Sequence, residues 1–527
     1  MAFMLFGLAL VLLALYLRLR VFFGTQPGGV DTWYYLASAE ALRKQKRLPI
    51  HLPQYLLHEP TESYPAGFPI FLSLLPPDWL RRYFWLLSPL IDTVHLLLLY
   101  LISYRLTDSV LAAFTAGFIY AVTPQLISET RNLNGRAFAS LLQTLAMLAL
   151  LRIVIPGHGP TRAVTGVSSL AWIVVALLLI ALLYNTHTST TIAFVISTAT
   201  LTVVSRSPLF LGLALLGLPV AILISGGYYL RVIRNHWCAA RFWYRNVRLT
   251  RAHQIKDSPL FREPGQEPAP SSVGLYRRSG RGWLGLAIRL LGENPFVLPM
   301  LPLLATPIFP NLWATYMYWW AVSIVAWAIL TTFVPPLRIF GPGFHYMKAS
   351  VFPTAYVLAV TVNVYEGAVS SVGLLLAIAV IVSFAALAYF YRVMAVRQTE
   401  HTSQTPPDLA AAAQYLRAAP GDRVLVLPNM YADYVAYTAG KAVVWGGHSG
   451  DLTRFEEFFP VLRQPLPYFF ETYAVDYLVI DHAYTTPAQL KLSDEIQSMT
   501  SFGQIGIYAV VQRTKATSGR WQPAVAT

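Results

Sequence analysis

The chain has 527 residues, 55% of them hydrophobic and only 12% charged, with a mean hydropathy of +0.50. Soluble domains carry about 25% charged residues, so most of this chain is excluded from water and belongs in a bilayer. The formal net charge of +14 suits an anionic lipid or a phosphorylated substrate; nucleic acid fits worst, because the basic residues sit among apolar runs.

Taken in chain order, apolar runs of about 17–25 residues predict about eleven membrane helices. They lie near 2–22, 84–104, 109–127, 136–155, 168–185, 188–205, 208–230, 296–310, 312–334, 350–366 and 370–392. The first run has no basic leader and no small-residue cleavage site, so it reads as a retained span. The run at 68–76 is too short to cross and is expected in the interface. From about 400 the polarity becomes ordinary. Helices are expected at 408–417 and 431–438, and strands at 423–427, 441–445, 476–480 and 505–511, an alternation that predicts a small α/β domain. The fold class is therefore a polytopic α-helical membrane protein. Its membrane domain covers 1–398, a soluble α/β domain covers 399–515, and a disordered tail covers 516–527. The single cysteine, Cys238, allows no intrachain disulfide. The PGHGP stretch at 156–160 reads as a turn.

An odd number of spans, with the N-terminus cytoplasmic, puts the C-terminal domain outside the cell membrane. On that side it joins 23–83, 128–135, 185–187, 231–295 and 335–349, which hold most of the polar chemistry. Segment 231–295 runs against this orientation. It has twelve Lys/Arg and four acidic residues, and cytoplasmic loops usually carry the basic excess; Arg18 and Arg20 disagree in the same way. A basic outer loop that meets lipid phosphate reconciles the two.

The first loop, GGVDTWYYLASAEALRKQKRLP, places Asp31 directly before Trp33, Tyr34 and Tyr35 and an amphipathic pattern. A carboxylate there is able to deprotonate an acceptor, to help hold a divalent metal against a phosphate, or simply to cap the following helix. This run, followed by PTESYPAGFP, resembles the first external loop of the GT-C superfamily of membrane glycosyltransferases. It is closest to the catalytic subunits of oligosaccharyltransferases and also similar to protein mannosyltransferase-like families. The matching residues are Asp31, Tyr34, Tyr35, Tyr64, Pro65 and Gly67. The resemblance implies that Asp31 is the catalytic or metal-positioning carboxylate, that Mg or Mn is a candidate cofactor, and that the donor is a polyprenyl-phosphate sugar.

The second outer loop, TPQLISETRNLNGRAF, also resembles the superfamily, with Glu129 as its only carboxylate. Where oligosaccharyltransferases want a further acidic pair, this chain has Arg136, Ala137 and Phe138, which puts a metal site of that kind in doubt. Arg131 and Arg136 either face the donor phosphate or snorkel at the interface. In YNTHTST (184–190), His187 is expected either to bind phosphate or metal or to sit in a plain helix-capping turn. The run PPLRIFGPGFHYMKASVFP (335–353) resembles the superfamily's lipid-phosphate cluster, with Arg338, His345, Tyr346 and Lys348 as candidates; ordinary interface anchoring is the alternative. Glu59 and Glu62 are outside candidates. The C-terminal domain lacks the Trp-Trp-Asp-Tyr-Gly motif of oligosaccharyltransferases, so sequon recognition is not predicted. The turn at Trp445, Gly446, Gly447 and His448 is either a plain turn or a wall of the site.

The function expected is transfer of a sugar from a polyprenyl-phosphate donor to a protein, lipid or glycan acceptor at the non-cytoplasmic face. A true oligosaccharyltransferase, a lipid or sugar transporter, and a non-catalytic scaffold are the alternatives. Transport asks for charges in mid-span, for which Asp92 and His95 are the candidates.

Overall fold

A computed structural model describes residues 1–23, 28–57, 63–155, 167–249, 252–261, 282–304, 309–368, 375, 378–391, 405–446, 452–492 and 494–511. The turn at 156–160, the tail at 516–527, Glu59, Glu62, Gly447 and His448 lie outside the described residues.

Long apolar helices build the body. They are α1 (Ala2–Leu19), α4 (Pro77–Thr107), α5 (Val110–Val122), α7 (Gly135–Val154), α8 (Val167–Tyr184), α9 (Thr188–Ser205), α10 (Leu209–Ile224), α14 (Leu312–Phe333), α15 (Lys348–Ala368) and α16 (Ile378–Tyr391). Among the described residues, five helices are long and apolar enough to cross a membrane, or up to seven if each of two bent pairs is one span. Four others, at Val110–Val122, Leu170–Tyr184, Lys348–Val364 and Ile378–Tyr391, are apolar but shorter. The bundle shows why uniformly apolar sequence still has an inside. In α1 only Gly7, Leu10, Ala14 and Arg18 are buried, a one-faced stripe at helical spacing; Leu5, Leu8 and Leu12 stay exposed, as lipid-facing residues do. The buried stripe packs on α4 and α5, where Ala112, Ala113 and Ala116 let the helices come close.

Two short helices and a hydrophilic helix carry the loops: α2 (Val30–Gln45), α3 (Gly67–Ser73) and α6 (Pro124–Glu129). The expected interfacial run at 68–76 thus begins as α3. A larger departure follows α10. The span expected at 208–230 ends at Ile224, and α11 (Tyr228–Arg245) turns away from it by 119°. The basic segment therefore starts as an amphipathic helix, with Arg234, Trp237, Arg241 and Tyr244 exposed and Phe242 buried. Two further helices, α12 (Gly282–Glu293) and α13 (Val297–Met300), form the second bent pair, at 85°. Arg18 also departs from expectation. It is no interfacial charge: it is fully buried and paired with Asp92.

The C-terminal part is a five-stranded sheet in the order β2-β1-β3-β5-β4. Its strands are β1 (Arg423–Leu427), β2 (Ala442–Val443), β3 (Tyr477–Asp481), β4 (Ile496–Phe502) and β5 (Ile505–Val510). Strand β1 pairs in parallel with β2 and β3, and β5 pairs antiparallel with β3 and β4. Helices α17 (Pro407–Ala418) and α18 (Ala432–Ala439) cover one face, and α19 (Leu452–Phe458) and α20 (Leu466–Tyr473) belong to the core on the other. Strand β1 is buried at four of its five positions, as expected of a parallel central strand.

This sheet is docked on the first loop. Leu36, Ala39 and Leu42 of α2 share one core with Ala432, Val435 and Ala436 of α18. The stretch around Tyr55 extends the β2 edge: Leu56 N–H donates to Val443 O at 2.9 Å and Leu57 N–H to Val444 O at 3.1 Å. From the opposite face, Arg245 of α11 reaches Glu456 of α19 at 2.8 Å.

Candidate active site

The site begins at a backbone turn. Gly29 is the N-cap of α2, with φ 117°, a conformation that favours glycine; a β-carbon there would also strike the side chain of Asn132. The chain enters α2 pressed against the second loop. Thr32 locks the contact, donating its hydroxyl to Gly28 O (3.1 Å) while accepting from Leu133 N–H (3.1 Å). Asp31 is thus not the helix cap but an acid in the first turn, where the helix dipole favours negative charge.

The second loop presents its charges through one asparagine. Asn134 is the N-cap of α7 and accepts from Arg136 N–H (2.9 Å), while its amide donates to Glu129 O (2.9 Å). The end of α6 and the start of α7 are therefore tied together, and Arg136 donates to Glu129 Oε2 at 3.1 Å. The same guanidinium lies 3.6 Å from Asp31 Oδ2. So Arg136 neither snorkels nor stands free for a phosphate: it bridges two carboxylates from two loops.

The third contributor arrives from more than two hundred residues away. Gln125 of α6 donates to Phe344 O at 2.6 Å, and Gly343 packs so tightly on α14 that a β-carbon would overlap the Ala328 carbonyl. These contacts bring His345 Nδ1 within 3.6 Å of Glu129 Oε1. Lys348, the first residue of α15, is 6% exposed, and its Nζ has no hydrogen-bond partner. It acts electrostatically on Glu129.

The fourth is the turn before α9. Gly67 N–H donates to Asn185 O at 2.6 Å, so the loop at 64–67 crosses that turn at close range. His187 is buried, its Nδ1 facing Thr190 Oγ1 at 3.0 Å and Ser189 Oγ at 3.2 Å. Tyr35 lies under Gly135 and is buried with Tyr34, which packs against Tyr35, Tyr55 and Tyr64.

The protonation states follow from this packing. Burial works to raise the Glu129 carboxyl, but Arg136, Lys348 and His345 together hold it well below the usual range, so it is ionised. Burial pushes His345 down to about 4. Burial and the nearby cations Lys348 and Arg136 lower His187 as well, so both imidazoles are neutral at neutral pH. Burial and Tyr64 raise the Tyr35 phenol, which stays protonated.

The structure thus gathers Asp31, Glu129, Arg136, His345, Lys348 and His187, with Tyr34 and Tyr35 beneath. Arg131 is buried on the turn between α6 and α7. Arg338 donates Nε to Thr332 O at 3.3 Å, and Tyr346 is buried, donates to Phe340 O at 2.5 Å and packs edge-on against Trp327. Arg289 of α12 was not singled out from sequence; its guanidinium stacks over the Phe344 ring at 3.8 Å and braces the turn that carries His345. Its only sequence signal was a basic residue in an apolar stretch. Among the described residues, no group of three or more His, Cys, Asp or Glu is placed to hold a metal ion.

No family model and no curated protein matches the chain. Solved structures do. ArnT from Cupriavidus metallidurans, bound to undecaprenyl phosphate, aligns with a TM-score of 0.57 at 12% identity, over 98% of this chain and 99% of that one. The apo oligosaccharyltransferase of Archaeoglobus fulgidus aligns with a TM-score of 0.55 at 14% identity, over 97% of this chain and 75% of that one. The same archaeal enzyme, AglB, matches in complex with an inhibitory peptide and a dolichol-phosphate (TM-score 0.53, 14% identity, 97% and 74% coverage). It also matches in complex with Zn and sulfate (0.51, 15%, 96% and 73%).

Proposed function

The chain has the fold of GT-C membrane glycosyltransferases and is a multi-pass membrane protein; from that premise we propose that it transfers a sugar from a polyprenyl-phosphate donor to an acceptor at the non-cytoplasmic face. The observation that carries this reading is the convergence of Asp31 with a buried, unpartnered ammonium, Lys348, in one cluster built from separate loops. ArnT with undecaprenyl phosphate and AglB with dolichol-phosphate support the donor class, and the AglB peptide complex supports a protein among the acceptors.

In this reaction an acceptor hydroxyl or amide attacks the anomeric carbon of the donor. The new bond forms as the bond from that carbon to the phosphate oxygen breaks, and the electron pair leaves with the polyprenyl phosphate. Asp31, on the rim of the cluster and 21% exposed, takes the acceptor proton. Lys348 neutralises the departing phosphate; a buried ammonium with spare donors is suited to this, because its charge acts in a low dielectric. Neutral His187, with Nδ1 accepting from the Thr190 or Ser189 hydroxyl, donates Nε2–H to a phosphate oxygen; neutral His345 keeps its Nδ1 proton towards Glu129 and orients that carboxylate. Tyr34 and Tyr35 hold α2 in register beneath the sugar. The C-terminal sheet, docked on α2, walls the acceptor's entrance from the outer side of the membrane.

The test is transfer from a radiolabelled polyprenyl-phosphate sugar by the purified, detergent-solubilised protein. Asp31→Asn is expected to lower transfer by ~10²–10⁴-fold with no change in melting temperature. Full activity in Asp31→Asn would falsify the role given to this residue.

A further inference from the structure

We propose that the guanidinium of Arg136 is the resident cation of this site, standing between Asp31 and Glu129 where the resemblance to oligosaccharyltransferases would put a divalent metal. The inference rests on the glycosyl-transfer reading of the cluster, but its geometry stands apart from it. A divalent ion shared by two carboxylates needs oxygens turned towards it at about 2.0–2.6 Å. Here Glu129 Oε2 accepts from Arg136 Nη1 at 3.1 Å, and Glu129 Oε1 faces His345 Nδ1 at 3.6 Å. Asp31 Oδ2 faces Nη2 of the same guanidinium at 3.6 Å. Both oxygens of Glu129 are already turned towards nitrogen, and the space between the two acids is taken.

Arginine does not lose its proton in proteins, so this charge cannot leave to make room. Nor is the side chain loosely placed. Its backbone amide is the one capped by Asn134, and Asn134 also grips the Glu129 carbonyl, so the arginine and the glutamate are set by one residue. Lys348 adds a second basic group that acts on Glu129. A divalent ion entering here would meet the Arg136 guanidinium and find two acids already engaged by it. Glu293, on α12, is within electrostatic reach of Glu129, yet the described residues form no cluster of three or more metal-ligating side chains. In bond-making terms, Arg136 keeps the two carboxylates ionised and close to one another, the service a metal would otherwise perform, and it does so without being a reactant.

The experiment has two readouts on the full chain. The first is Mn²⁺ binding to the purified protein, followed by electron paramagnetic resonance, which needs no turnover. The wild type is expected to bind with a Kd above about 1 mM. Arg136→Met, which keeps the length and removes the charge, is expected to bind at least about tenfold more tightly, and Arg136→Met with Asp31→Asn is expected to lose that gain. The second readout is sugar transfer in EDTA against Mg²⁺, expected to agree within about twofold for the wild type. Tight, stoichiometric Mn²⁺ binding by the wild type overturns the inference, and so does transfer that EDTA abolishes and Mg²⁺ restores. Should Arg136→Met fail to fold, the wild-type titration still decides. Should no donor support transfer, the glycosyltransferase reading fails while the binding measurement still judges Arg136.

Discussion

The Arg18–Asp92 and Arg136–Glu129 clusters each pair an arginine with a carboxylate, and they differ in what surrounds the pair. Inside the bundle, Arg18 donates Nε to Asp92 at 2.5 Å and Nη1 to the carbonyls of Ala14 and Ala121, each at 3.2 Å. Tyr120 donates to Asp92 Oδ1 (2.8 Å) and lies 2.9 Å from His95 Nδ1, whose Nε2 meets Thr144 at 2.8 Å. Helices α1, α4, α5 and α7 are joined by one circuit in which every titratable member is buried and Arg18 Nη2 is left without a hydrogen-bond partner. At the loop junction, Arg136 is likewise shared, but Asp31 and Arg136 are about a quarter exposed and Lys348 Nζ is unpartnered. A polar network whose arginine is paired with a buried carboxylate and two carbonyls ties elements together; one with a buried lysine amine that no hydrogen bond holds has a donor to offer an anion. The comparison also bears on transport: Asp92 and His95 are engaged with neighbouring helices, which favours a structural part for them.

The sharpest way to break the comparison is to open the buried circuit. Asp92→Ala strands a buried guanidinium, and we expect a loss of ~3–5 kcal/mol, read as a large fall in melting temperature. Transfer per folded molecule should persist. If the variant is as stable as the wild type, the circuit is not holding the helices.

Lys348→Met tests the open cluster from the other side. Removing a buried ammonium that no hydrogen bond satisfies should leave stability unchanged or raised by ~1 kcal/mol. Donor binding should weaken by about 10–100-fold, measured as the donor KM. A loss of stability with unchanged KM would make Lys348 part of the architecture.

Acid should then weaken the open cluster. His345 sits at about 4 in the folded protein against an ordinary 6.5, so the fold favours its neutral form. Its contribution is complete above pH 6.5 and is lost as the pH falls from there through about 4. Glu129, held below the ordinary 4.5, contributes above that value and loses its share as the pH falls further. Both terms have the same sign. Melting temperatures from pH 8 to pH 4 should decline, and His345→Gln should lessen the decline between 6.5 and about 4, with His187, His236 and His253 supplying the rest with the same sign.

The smallest effect belongs to a third pair. Arg81 Nε lies 2.9 Å from Glu40, but the arginine side chain is 59% exposed. Arg81→Ala should cost no more than ~0.5 kcal/mol by chemical denaturation. A cost like that of Asp92→Ala would show that burial does not rank these pairs.

Particular residues show how much of this could be read beforehand. Strand β1 forms where the apolar run RVLVL stands, and the long spans stand where apolar runs are uninterrupted, because burial of that much apolar surface dominates local choice. The amphipathic helix α11 was hidden because its arginines and aromatics look like a loop until helical spacing sorts them onto faces. Arg338 and Tyr346 each hydrogen-bond a nearby carbonyl, and such bonds between neighbours in a turn are not visible in residue type.

The sequence by itself determined that the chain enters a bilayer, that Asp31 and Glu129 lie in polar loops between apolar runs, and that a basic cluster follows at 338–348, since these depend on composition and local order. Only the tertiary structure decided that Arg136 joins the two acids, that Lys348 is buried without a partner, and that Arg18 answers Asp92. Electrostatic roles depend on distance and dielectric, and both are set by which helices pack together rather than by which residues adjoin along the chain.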